Sequence, residues 1–221
     1  MTIEAWRITG QPDLDSHIGW RVELAAHLVN CLTATSAHGR PVTPPSGGDD
    51  RLAALTDQLA AVGRVPSLLT ADEADRMAAA GRPPLSLTDA DADRLAEVAA
   101  ELRPSFGAGD RILGAAARLN QLLVRHNAVP NLHGDPHRPL VLSFHRADAD
   151  LVDAWAADTG TALAMVIGVG QAARLGACQA DECSLVFFDT TRNASRRFCD
   201  LACQNRTKAS AYRARRRAQS S

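Results

Sequence analysis

The sequence predicts a mainly α-helical protein: a helical N-terminal domain with one short β-hairpin, then a small four-cysteine metal module built as knuckle, hairpin and helix. Three observations carry that expectation. Apolar residues recur at helical spacing through most of the first 175 residues. The period breaks between Pro130 and Phe144, where Leu140, Leu142 and Phe144 alternate as in a strand. Four of the five cysteines, Cys178, Cys183, Cys199 and Cys203, fall within 26 residues near the C-terminal end.

The first helix covers residues 18–33, where Val22, Ala25, Val29 and Leu32 form one stripe and Cys31 reads as a small buried apolar thiol. Residues 35–50 are small, Pro, Gly and Asp, and read as a loop. Leu52, Leu55, Leu59 and Val62 mark a second helix. Thr70 and Glu73 make a capping box for a third. Thr88 caps a fourth, with Leu95, Val98 and Leu102 inward and Pro104 ending it. Ile112, Ala116, Leu119 and Leu123 mark a fifth, and Gly134-Asp135-Pro136 is the turn of the hairpin. Leu151, Trp155, Ala162, Val166, Val169 and Ala173 hold a helical period across 147–175, with Gly160 as a point of kinking. The expected boundary separates a helical domain, 1–176, from a metal module, 177–221.

Composition narrows the class. With 46% hydrophobic and 22% charged residues in 221, the chain can bury a core, which excludes wholesale disorder. It has no apolar run of the ~18–20 residues a membrane span needs and no basic-then-apolar leader, so a soluble cytoplasmic protein without a membrane partner is expected. The net charge of −1 hides an asymmetry: from Thr190 onward nine basic residues face one acid, Asp200, leaving −9 on the 189 residues before them. An acidic body with a basic tail points to a polyanion partner.

In a reducing compartment the clustered thiols favour metal over disulfide. The pattern is C-x4-C, fifteen residues, then C-x3-C. Two local pairs brought together by a turn suit the tetrahedral thiolate shell of one structural zinc ion per chain. Leu185 to Phe188 reads as a strand, Thr190 to Ser195 as a turn, and Arg196 to Phe198 as the returning strand. From Asp200, an N-cap or first-turn acid, the chain reads as helix, which sets Cys199 and Cys203 one turn apart. Phe187, Phe188, Phe198 and Tyr212 are expected to form a miniature core that needs the metal.

These residues also carry a resemblance. Cys178-x4-Cys183, Phe188-Asp189, Arg192-Asn193-x-Ser195-Arg196-Arg197-Phe198-Cys199 and Cys203-Gln204-Asn205-Arg206-x-Lys208 resemble the CGNR zinc-finger family over roughly the last 45 residues. Gln204 stands where that family usually has glycine, a change a helix accepts. In that family the finger usually follows an α-helical domain called ABATE, described as a stress-induced transcription regulator. Leu28-Val29-Asn30 is the point of contact with it here. The resemblance implies a regulator whose helical domain senses a small-molecule effector or forms a homodimer, while the finger holds DNA.

The basic tail supplies candidate DNA contacts. Arg192, Arg196 and Arg197 on the expected hairpin suit phosphates. Asn205 and Arg206, next to Cys203, are types that read base edges, or else buttress the zinc site. Lys208, Arg213, Arg215, Arg216 and Arg217 line the final helix. The competing class is a zinc-knuckle adaptor for RNA or protein with no specific DNA target. A third reading, a metal hydrolase, rests on His133, Asp135, His137 and His145. Gly168-x-Gly170-x-x-Ala173 imitates a dinucleotide fingerprint but leaves no room for its crossover helix before Cys178. No nucleophile–base arrangement stands out, so no enzyme activity or cofactor beyond zinc is expected.

Overall fold

A computed structural model describes residues 11–62 (side chains 17–59), 87–134 and 140–219. The capping box at Thr70 and Glu73, and Asp135, Pro136 and His137, lie outside the described residues. The described elements run α1 (Gln11–Thr33), β1 (Ser36–Ala37), β2 (Arg40–Pro41), α2 (Gly48–Val62), α3 (Asp89–Leu102), α4 (Ile112–Arg125), β3 (Asn131–His133), β4 (Val141–Ser143), α5 (Leu151–Gly168), β5 (Leu175–Ala177), β6 (Val186–Phe188) and α6 (Leu201–Gln219). The mainly helical class holds. None of the described helices is long and apolar enough to cross a membrane.

Helix α5 is buried on nearly every face, as its small and apolar residues require. Asp150 caps it by accepting from the Asp153 N–H at 2.8 Å. Around it pack α1, α3 and α4, and α2 covers α1 and α3. The common core contains Val22, Leu28, Val29, Leu55, Leu95, Leu102, Leu119, Leu122, Val152 and Leu163. Gly160 does not interrupt α5; a Cβ there would meet Leu122 and Leu123 at 2.9 and 3.0 Å, so this glycine lets α4 approach closely. Helix α3 begins at the expected box, in which Thr88 Oγ1 accepts from Asp91 N–H and Asp91 accepts from Thr88 N–H. It buries Leu95, Val98 and Leu102 as expected, and Pro104 lies in the 3-10 turn that follows. Helix α4 is turned slightly from the expected face: Ala115, Leu119 and Leu122 are buried, while Ile112, Ala116 and Leu123 are only half-buried.

The expected hairpin is β3–β4, antiparallel with Leu132 opposite Leu142. Arg21 anchors it from α1. This buried guanidinium donates to Leu142 O (3.2 Å) and His17 O (2.8 Å) and lies 3.3 Å from the Asp158 carboxylate of α5. Asp158 also accepts from Phe144 N–H at 2.6 Å and contacts His145 Nδ1 at 3.2 Å.

Three expectations change. The loop assigned to 35–50 contains a ribbon, β1–β2, with Ser36 opposite Pro41 and Ala37 opposite Arg40. Its two-residue turn is His38-Gly39, with φ of +54° and +84°, the left-handed pair that a type I′ hairpin turn requires. The helix expected across 147–175 stops at Gly168; Gly170 reverses the chain at φ +75°, and Leu175 to Ala177 continue as β5. Strand β6 then pairs with β5, not with 196–198: Leu175 is opposite Phe188 and Ala177 opposite Val186. Arg196 to Phe198 carry no strand; the Arg196 N–H donates to the Asp189 carboxylate and the Arg197 carbonyl accepts from Gln179. The boundary expected after residue 176 falls inside β5. Leu175 and Val186 lie in the same core as the helices.

Candidate metal centre

Cys178 follows β5 directly, and its N–H donates to Leu185 O at 2.8 Å. That bond closes the knuckle 178–185 and turns Cys178 and Cys183 to one side. Glu182 sits at φ +53°, which sharpens the turn before Cys183. Asp189, fully buried, then sets the next loop: its carboxylate accepts from Thr191 N–H at 2.8 Å and from Arg196 N–H at 2.7 Å. Burial opposes ionisation of Asp189, but the Thr191 hydroxyl and these N–H donors hold its carboxyl below the ordinary range. Gln179 N–H donates to Arg197 O at 2.9 Å and returns the loop to the knuckle. Asp200 caps α6 by accepting from Cys203 N–H at 2.8 Å, so Cys199 and Cys203 arrive one turn apart.

The four sulfurs lie within 4.8 Å of one another. Cys183 Sγ and Cys199 Sγ are 3.8 Å apart and all five cysteines are free thiols. A tetrahedron of Zn–S bonds near 2.3 Å has S···S edges of about 3.8 Å, whereas a disulfide needs about 2.05 Å. The donor set also demands a cation. Burial and the sulfurs of Cys203 and Cys178 push the Cys199 thiol far above its ordinary range. Burial likewise raises Cys203, against the pull of Arg206. Cys183 moves down despite burial, because the N–H groups of Leu185 and His38 point at its sulfur. Four thiolates this close repel one another, and a divalent ion removes that penalty by ionising and neutralising them. Zinc, tetrahedral and thiophilic, fits the set, and its role is structural because four protein ligands leave no open position.

The arrangement is a four-cysteine zinc finger, with the first pair in the knuckle between β5 and β6 and the second pair at the start of α6. Residues 174–216 match the family model of the CGNR zinc finger. No curated protein matches the chain.

The candidate nucleic-acid residues divide into two groups. Arg206, half-buried, and Arg196, exposed, bond back onto the finger. Arg206 Nη2 donates to Asp181 O at 2.5 Å and lies 3.9 Å from Cys203 Sγ. Arg196 donates to Phe198 O and Cys199 O and covers the Phe187 ring at 4.5 Å. Arg197 reaches Gln179 at 2.7 Å. Arg192, Asn205, Lys208, Arg213, Arg215, Arg216 and Arg217 are exposed. Gln204 sits in the first turns of α6, where its N–H donates to Asp200 O at 3.2 Å, so a helix occupies the position of the family's glycine.

The miniature aromatic core forms only in part: Phe187 is buried, Phe188 packs on the helical body, Phe198 is half-buried and Tyr212 is exposed. Among the described residues, His133 and His145 stack at 4.5 Å and hydrogen-bond at His145 O and Asp158. Among the described residues, the groups whose ligand atoms gather closely enough for a metal are the four cysteines and a neighbouring set of His38, Cys199, Asp200 and Cys203. Sequence reasoning missed Asn30, Ser184, Arg103 and His38 as parts of the site. Their partners lie 81–165 residues away along the chain, and no local pattern encodes them. Asn30 binds both backbone groups of Val186, at 2.7 and 2.9 Å, like an extra strand edge. Arg103 donates to Ser184 O at 2.6 Å.

Proposed function

We propose that this protein is a zinc-dependent DNA-binding transcription regulator, in which the basic finger contacts DNA and an ABATE-like helical domain senses an effector or dimerises. The observation that carries the reading is α6. It is a 19-residue helix whose single buried residue is Cys203, so a zinc ligand fixes its root while its length stands clear of the body. It is about 28 Å long, and its second half carries Arg213, Arg215, Arg216 and Arg217. A helix of that width suits the major groove, and arginines on it neutralise phosphates. Lys208, Arg213 and Arg215 are the contacts we assign to DNA, with Asn205 at the metal-fixed end as the base-edge candidate. Arg196 and Arg206 serve the finger instead. For the sensing role, an open groove of about 650 Å³ lies over Ile18, Trp20, Met165, Val169 and Phe188 and is edged by Arg192. For dimerisation, Leu132, Leu140 and Val141 expose apolar surface on the β3–β4 hairpin.

The test is a salt titration of binding to fragmented genomic DNA. It compares the full zinc-loaded chain with K208Q/R213Q/R215Q, substitutions at exposed positions far from the core. The intact chain is expected to enrich particular fragments, and the variant's salt slope should be shallower by about one for each phosphate contact removed. Binding that selects no fragment and has the same slope in both proteins removes the DNA reading and leaves the RNA or protein adaptor.

A further inference from the structure

The zinc site is not built by the C-terminal segment alone. The β1–β2 turn, contributed by the N-terminal part of the chain, lies directly on the sulfur cluster. The His38 ring Nδ1 lies 3.7 Å from Cys203 Sγ and 3.2 Å from Asp200 Oδ2. One residue thus reaches a sulfur of the second cysteine pair and also the carboxylate that caps α6.

The turn is held there by a continuous seam. Gly39 N–H donates to Glu182 O at 3.0 Å and Ser184 N–H to Ser36 O at 2.9 Å. The Ser184 hydroxyl accepts from Thr35 and Ser36 N–H at 3.0 and 3.1 Å and donates to Ser36 O at 2.9 Å. On the far side the Arg206 guanidinium lies so close to Gly39 that a Cβ there would be 2.7 Å from it. The left-handed His38-Gly39 turn is therefore fitted against the knuckle, not merely near it. Outer partners of this kind orient metal ligands, and losing one typically weakens metal binding about 10–100-fold.

We propose that His38 is a positioning residue of the zinc centre, holding the Cys203–Asp200 corner through its ring, so that metal binding locks the β1–β2 turn onto the finger. The four cysteines remain the ligands.

The experiment uses the full chain carrying His38→Gly and His38→Asn. Glycine and asparagine both accept the φ of +54°, so the backbone turn and its N–H survive while the ring is lost or replaced by a short amide. The first readout is zinc transfer to a chelator. The second is the thiolate-to-metal absorption of the cobalt-loaded protein. The third is hydrogen exchange at the Gly39 amide. H38G is expected to give up zinc about tenfold or more readily, with H38N recovering part of the loss. Cobalt absorption should keep its four-thiolate intensity, and Gly39 should lose protection on chelation in every protein. Unchanged zinc transfer in H38G overturns the proposal. So does a fall in thiolate absorption, which would make His38 a ligand, or a Gly39 amide indifferent to zinc.

Discussion

Asp158 shows how a single side chain holds distant elements. Burial alone would raise its pKa, but the bond to His145, the charge of Arg21 and the Phe144 N–H outweigh burial and lower it. A carboxyl lowered in the folded state stabilises the protein above its unfolded value, near 3.9, and loses that contribution as pH falls through the folded value. His17, lowered by burial and by Arg21, has the same sign and begins to act below about 6.5. Docking of the β3–β4 hairpin should therefore weaken on acidification, first through His17 and then through Asp158. Asp158→Ala leaves Arg21 buried without its counter-charge and should cost about 3–5 kcal/mol in denaturant unfolding at neutral pH; a change below about 1 kcal/mol would show that Arg21 has found another partner. The sequence displayed neither residue's role. The cysteines and the caps at Thr88, Asp150 and Asp200 act on near neighbours; Thr88 and Asp200 are legible from spacing alone. Arg196 and Arg206 have the same composition signature as DNA-binding arginines, yet they bond carbonyls of the finger, and only folding reveals those acceptors.

At the scale of elements, periodicity located α1 to α5, because each must bury an apolar stripe; α6, whose single buried residue is Cys203, is legible from its composition instead. Periodicity failed at strands too short to alternate. The ribbon β1–β2 has two residues a side, and β5 is a three-residue continuation of an apolar helical run. Strand β6 was recognised from its composition, but its partner was misassigned, since pairing depends on what lies beside it in space. Gly176 is the point of closest approach: a Cβ there would stand 2.3 Å from the Phe187 ring. Gly176→Val should destabilise the β5–β6 pair and the knuckle beyond it by about 1–3 kcal/mol through overpacking. Zinc should transfer faster to a chelator in the same variant. Wild-type unfolding and zinc transfer would mean that Phe187 can turn aside freely.

At the scale of the whole molecule, segments far apart in the chain meet at the metal site. Asn30 of α1, the β1–β2 turn and Arg103 after α3 bind residues 182–186, and Leu175 and Val186 complete the helical core. The division expected after residue 176 follows the clustered cysteines, which begin at Cys178. The hydrogen bonds cross that division, so one zinc ion is expected to hold the fold of both parts. Trp20 and Trp155 lie in α1 and α5 and report the helical body, while the ion reports the finger. The most direct measurement is thermal unfolding of the zinc-loaded chain with tryptophan fluorescence and zinc release recorded together. One zinc per chain should leave in the same cooperative transition that changes the fluorescence. A chain that carries no zinc, or one that releases it in a separate transition while the tryptophan signal stays native, would contradict the account.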